Sequence, residues 1–113
     1  MAAFHLSLPV RSVEEEVAFF VGRLRARVTH RDPGGYVNVD WFGAQITLQP
    51  GEVASCDFHF GVNLDRADFE ELARELGQTA KVVDAGTSIE RRKFYVRSPS
   101  GYLVELKTSE AGD

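Results

Sequence analysis

Residues 101–107 read Gly-Tyr-Leu-Val-Glu-Leu-Lys, and residues 43–49 read Gly-Ala-Gln-Ile-Thr-Leu-Gln. The two heptads align without a gap. A glycine enters each, and apolar side chains then recur at every second position, the period of a half-buried strand. The alignment sets Glu105 against Thr47. Working outward, Phe4-His5 opens one strand-like run and Phe58-His59 opens another, 54 residues later. His5 precedes Thr47 by 42 residues and His59 precedes Glu105 by 46, so the two halves differ only in loop length.

Between these anchors each half reads strand, helix, then three strands. Residues 3–10 alternate, with Phe4, Leu6, Leu8 and Val10 on one face and His5, Ser7 and Pro9 on the other. Ser12 reads as an N-cap with Glu15 three positions on. Val13, Val17, Phe20 and Leu24 form a helical stripe ending near Gly22 or Leu24. Extended segments follow at 27–30, 36–41 and 44–49, separated by the Asp32-Pro33-Gly34-Gly35 turn and the Phe42-Gly43 break. Pro50-Gly51-Glu52 links the halves.

The second half predicts a strand over 57–64, then a helix capped by Asp65. Phe69, Leu72, Ala73 and Leu76 face inward, and Gly77 reads as the stop. Strands at 81–85, 93–97 and 102–107 complete it, with a Ser98-Pro99-Ser100-Gly101 turn before the last.

Composition narrows the function. The chain of 113 residues suits one domain, or two small halves sharing a core. A net charge of -4 argues against nucleic acid, which needs a clustered basic face. Arg23, Arg25 and Arg27 read as a solvated helix end. The single cysteine, Cys56, excludes an internal disulfide, points to a reducing compartment and is read as structural. No run of ~20 apolar residues predicts a membrane span. No basic-then-apolar leader is seen, so the cytoplasm is the expected location.

Parity then sorts the polar residues. His5, Thr47, His59 and Glu105 all fall on the strand face opposite the apolar set, and Tyr95 and Arg97 share it. A histidine on the polar face of a strand is ordinarily solvated, and His30, which has no counterpart, is read that way. Two histidines at one repeat position, with a carboxylate on the closing strand, are instead the ligand types of a facial triad. Such a set suits Fe(II) or Mn(II), with Zn(II) as a further option, and leaves positions open opposite the protein ligands. Thr47 supplies no charge, and Gln45 and Gln49 share its face as candidate outer partners.

These residues resemble the vicinal oxygen chelate superfamily, which includes glyoxalase I, extradiol dioxygenases, methylmalonyl-CoA epimerase and the fosfomycin and bleomycin resistance proteins. The resemblance spans Phe4 to Lys107. Its most specific part is the closing hairpin from Phe94 to Glu105, with an aromatic strand, a Pro-x-Gly turn and a ligand glutamate. The resemblance implies an α+β fold of two βαβββ modules, about residues 3–50 and 56–108, forming a curved mixed sheet cleft with helices outside. It implies a divalent ion on His5, His59 and Glu105, with Fe(II) favoured, and a homodimer. Extradiol enzymes carry a tyrosine ten residues before the ligand glutamate, as Tyr95 does here; its phenol would hydrogen-bond the substrate oxygen or simply wall the cleft. Two features depart from that branch. Ser98 stands where aspartate is commoner, and Gly86, Thr87 and Ser88 occupy the stretch expected to hold an acid-base histidine. Thr47 replaces the extra glutamate of glyoxalase I.

The expected function is metal-dependent chemistry, dioxygenase-type first, on a small oxygenated molecule that chelates the ion. A non-catalytic ligand-binding protein of the same fold and a metal-dependent lyase or isomerase are the alternatives. Arg97 reads as a solvated strand end or a contact for a substrate anion. Tyr36, Trp41 and Phe42 read as core or rim.

Overall fold

Strand, helix and three further strands form each half, as the residue pattern predicts. A computed structural model of the chain describes residues 4–53, 58–79, 81–82 and 92–109. In order the elements are β1 (His5–Val10), α1 (Val13–Leu24), β2 (Arg27–Arg31), β3 (Val37–Trp41), β4 (Ala44–Pro50), β5 (His59–Asn63), α2 (Arg66–Thr79), β6 (Lys81–Val82), β7 (Lys93–Arg97) and β8 (Leu103–Lys107). The chain divides into two compact units, Met1–Ser55 and Cys56–Asp113. Each unit holds one mixed four-stranded sheet, ordered β1-β4-β3-β2 in the first and β5-β8-β7-β6 in the second. The class is α+β, with two βαβββ modules.

The repeat is visible in the hydrogen-bond register. β1 runs parallel to β4 with Ser7 opposite Thr47, and β5 runs parallel to β8 with Gly61 opposite Glu105. Ser7 lies two residues after His5, and Gly61 two after His59, so the gapless sequence alignment is also the structural one. On the antiparallel side Asn38 faces Thr47 and Tyr95 faces Glu105.

In the first unit α1 covers β2, β3 and β4. Ser12 adopts extended backbone and its Oγ accepts from the Glu15 amide at 3.2 Å, which fixes where the helix begins. Val17, Phe20 and Leu24 are buried as predicted, against a strand face of Val37, Val39, Trp41, Ile46 and Leu48. Phe20 and Trp41 meet edge to face at 5.8 Å. Phe42 and Gly43, both at positive φ, turn the chain in two residues, so that Trp41 pairs with Ala44. That is the primed hairpin geometry that matches strand twist.

Trp41 also donates its indole N–H to the Leu24 carbonyl at 3.0 Å, tying the end of α1 to the sheet. Trp41→Phe keeps the packing but leaves that carbonyl unmet, so we expect a loss of about 1–3 kcal/mol in denaturant unfolding.

In the second unit Phe69, Leu72, Ala73 and Leu76 of α2 are all buried. The Asp65 carboxylate accepts from the Asp68 amide at 2.8 Å, which confirms the cap. Gly77 is not the predicted stop, because α2 continues to Thr79. A Cβ at Gly77 would lie 3.8 Å from the Phe94 ring, so the helix passes close to β7 there. Of the strand predicted at 81–85, Lys81 and Val82 are strand and the rest lies outside the described residues. Cys56 and the 86–88 stretch also lie outside them. Among the described residues no helix is long and apolar enough to cross a membrane.

Candidate metal centre

Three adjacent strands of the second unit build a small polar grid. Gly61, Glu105 and Tyr95 lie in one row across β5, β8 and β7; His59, Leu103 and Arg97 lie in a neighbouring row. Because side chains alternate faces, all six share the face that α2 does not cover. Glu105 sits on the central strand of the three and is only 9% exposed, whereas His59 remains open to solvent.

The His59 Nε2 and the Glu105 Oε1 lie 3.6 Å apart. Two donors bound at ~2.1 Å to one ion would stand ~3.0–3.4 Å apart at octahedral or tetrahedral corners, so small side-chain adjustments would let both reach a shared divalent ion. An imidazole and a carboxylate also supply the right chemistry for Fe(II), Mn(II) or Zn(II).

Tyr95 holds this pair in place. Its ring meets the His59 imidazole edge to face, with centroids 5.7 Å apart and planes at 88°. Its hydroxyl donates a hydrogen bond to Glu105. That bond raises the phenol pKa above its ordinary value, with burial and the negative charge of Glu105 adding in the same direction. The folded-state pKa is therefore above the unfolded one. The interaction is fully present below the ordinary tyrosine range and is lost as pH rises through the elevated value. In ultraviolet titration of the metal-free protein, the component removed by Tyr95→Phe should ionise later than free tyrosine, and Glu105→Ala, which removes both the hydrogen bond and the charge, should lower it toward the free value.

In the first unit the positions of Glu105 and Tyr95 carry the uncharged Thr47 and Asn38. His5 is flanked at both ring nitrogens: the Gln45 amide nitrogen lies 3.1 Å from Nδ1, and the Ser7 Oγ lies 3.2 Å from Nε2. Thr47 is as shielded as Glu105, at 9% exposed. Its hydroxyl donates to the Asn38 Oδ1 at 2.7 Å, so its proton is spent within the sheet. Among the described residues, neither unit gathers three or more His, Cys, Asp or Glu side chains on its own.

The remaining candidates take ordinary places. His30 is exposed, 3.6 Å from the Asp32 carboxylate, with its ring tilted at 46° to that of Tyr36. Arg97 donates to the Gly101 carbonyl at 3.0 Å, bracing the hairpin turn. Trp41 is core and Phe42 is exposed. Sequence reading passed over Gly61. An ideal Cβ there would fall on the Glu105 carbonyl oxygen and lie 2.8 Å from the Glu105 Cβ, so β5 and β8 approach closely because residue 61 has no side chain. The available signal was a glycine two residues after His59, where the other half carries serine.

No family model matches the sequence, and no curated protein matches it. Solved structures do. A glyoxalase/bleomycin resistance protein/dioxygenase from Alicyclobacillus acidocaldarius shares 25% identity at a TM-score of 0.75, covering 95% of this chain and 90% of that one. The fosfomycin resistance protein FosX from Mesorhizobium loti shares 19% identity at 0.76, covering 96% and 92%. A FosX variant from Listeria monocytogenes, solved with Mn(II) and 1S,2S-dihydroxypropylphosphonic acid, shares 14% identity at 0.79, covering 96% and 92%.

Proposed function

We propose that this chain, which has the fold of the vicinal oxygen chelate superfamily, binds a divalent metal ion through His5, His59 and Glu105 and uses it on a small oxygenated organic molecule. The observation that carries the reading is the His59–Glu105 pair at 3.6 Å, locked by Tyr95, with His5 at the equivalent position of the repeat. A divalent ion held there supplies Lewis-acid polarisation of a substrate oxygen and leaves coordination positions for it.

The residues divide the remaining work. The Glu105 carboxylate supplies the negative charge that a divalent ion requires, from a position shielded from competing water. Tyr95 keeps its proton across the neutral range, so its hydroxyl is a donor, first to Glu105 and then to an oxygen of a bound substrate. A protonated phenol beside the ligand glutamate favours the dioxygenase-type version of the activity, with Fe(II) as the ion and a catechol-like diol as the substrate.

A second reading is favoured by charge. Lys93 and Lys107 face each other across β7 and β8 in the row beyond Glu105, with no ion pair to either among the described residues. The FosX variant carries Mn(II) with a phosphonate, and an anionic substrate on this chain would meet those lysines. Metal analysis of the purified protein, followed by oxygen uptake with catechols and by conversion of an epoxide phosphonate, separates the readings. Bound metal without oxygen uptake removes the dioxygenase reading. Bound metal with neither conversion leaves a ligand-binding protein, and no stoichiometric metal removes the enzyme reading altogether. By the same resemblance we propose a homodimer, which light scattering tests.

A further inference from the structure

The two histidines of the repeat stand in the same place but are held differently, and the difference assigns a role to Gln45. An amide nitrogen cannot accept a hydrogen bond, so the 3.1 Å contact has Gln45 donating to the Nδ1 lone pair of His5. In the neutral ring the proton then sits on Nε2, where the Ser7 Oγ at 3.2 Å accepts it. Both ring nitrogens of His5 are therefore occupied. In the other half the register position of Gln45 is taken by Leu103, and that of Ser7 by Gly61, so His59 has neither contact.

A metal ion needs a bare imidazole nitrogen. If it binds Nε2, the proton must move to Nδ1, and the Gln45 amide must turn over so that its oxygen accepts that proton. If it binds Nδ1, Gln45 must leave. Either route passes through Gln45. Resting on the metal site proposed above, we infer that Gln45 is a positioning residue that sets the tautomer of His5 and so controls how readily this half of the chain takes up the ion. Its amide gives one side chain that holds the metal-free form by its nitrogen and the metal-bound form by its oxygen.

The test compares Gln45→Glu, Gln45→Leu and a charge control, Thr29→Glu, on the exposed strand β2 of the same sheet. A carboxylate at position 45 only accepts, so it favours the Nδ1–H tautomer and leaves Nε2 bare. Nitrogen-15 NMR of the metal-free protein should show His5 as the Nε2–H tautomer in wild type, the Nδ1–H tautomer in Gln45→Glu, and a mixture in Gln45→Leu. Zn(II) titration should then give about tenfold tighter binding for Gln45→Glu, the lower end of what outer partners of metal ligands are worth. Thr29→Glu should bind as wild type. Equal tightening by Gln45→Glu and Thr29→Glu would mark a general charge effect and overturn the inference. So would a His5 tautomer that ignores residue 45. If wild type binds Zn(II) and His5→Ala does not, while the Gln45 variants bind as wild type, the inference falls and the metal site stands. If no form binds Zn(II), both fall.

Discussion

Replacing Gly61 with alanine should cost this protein both stability and the proposed metal site. The added Cβ has nowhere to go: it meets the Glu105 carbonyl oxygen, its carbonyl carbon at 2.7 Å and its Cβ at 2.8 Å, and all three belong to backbone or to the root of a side chain. A flexible tip could swing away, but a strand in the middle of β5-β8-β7 cannot move without disturbing both of its ladders. Overpacking of this kind costs roughly 1–3 kcal/mol. At ~4 °C per kcal/mol for a domain of this size, a thermal melt should fall by about 4–12 °C. Any shift of β5 also moves His59 against Glu105, so metal affinity should fall with it. Ser7 occupies the same register position in the first unit and carries a side chain there already. Ser7→Ala should therefore melt within ~2 °C of wild type, an effect under ~0.5 kcal/mol. Equal melting temperatures for wild type and Gly61→Ala would refute the close-approach argument.

Removing a ligand should have the largest effect on metal content. Outer partners of metal ligands alter affinity by about 10–100-fold, so loss of a direct ligand should exceed about a hundredfold. We expect His59→Ala and Glu105→Ala, prepared like wild type and analysed by mass spectrometry, to retain no stoichiometric ion. Glu105→Gln is the sharper variant. It keeps the shape and the acceptor oxygen for Tyr95 but removes the negative charge, so the fold should survive while the ion is lost. Stoichiometric Mn(II) or Fe(II) on Glu105→Gln would mean that the ion is held elsewhere. Tyr95→Phe should fall between these cases, weakening the ion by about tenfold through a looser Glu105, as an outer partner does.

Much of this was legible in the sequence, for a specific reason. Strand periodicity fixes the face of every residue once a register is assumed. The gapless match of 43–49 with 101–107 supplied the equivalence of the two halves, and the matching pairs Ser7–Thr47 and Gly61–Glu105 repeat it, although which residues stand opposite one another was set by the sheets. The caps at Ser12 and Asp65 were readable because a cap is a local contact three residues long. Gly77 misled because glycine is also tolerated inside a helix, at a cost of about 1 kcal/mol against alanine, and α2 runs through it to Thr79.

The order of strands and helices, the polar face and the residues His5, His59, Glu105 and Tyr95 on it were determined by the chain's own alternation and repeat, which are properties of local backbone geometry. What neighbours those residues have was decided only in three dimensions. That Tyr95 binds the carboxylate of Glu105, that Gln45 reaches the Nδ1 of His5, and that Thr47 spends its proton on Asn38 all depend on pairings between strands 9–40 residues apart in sequence, whereas the Ser7 contact to His5 is made within β1. Spacing along one strand carries no record of which side chain stands across from it. Hydrogen bonds between strands form only once the sheet has set the distance, so the residue types of the proposed site were written in the sequence and the contacts that restrain them were not.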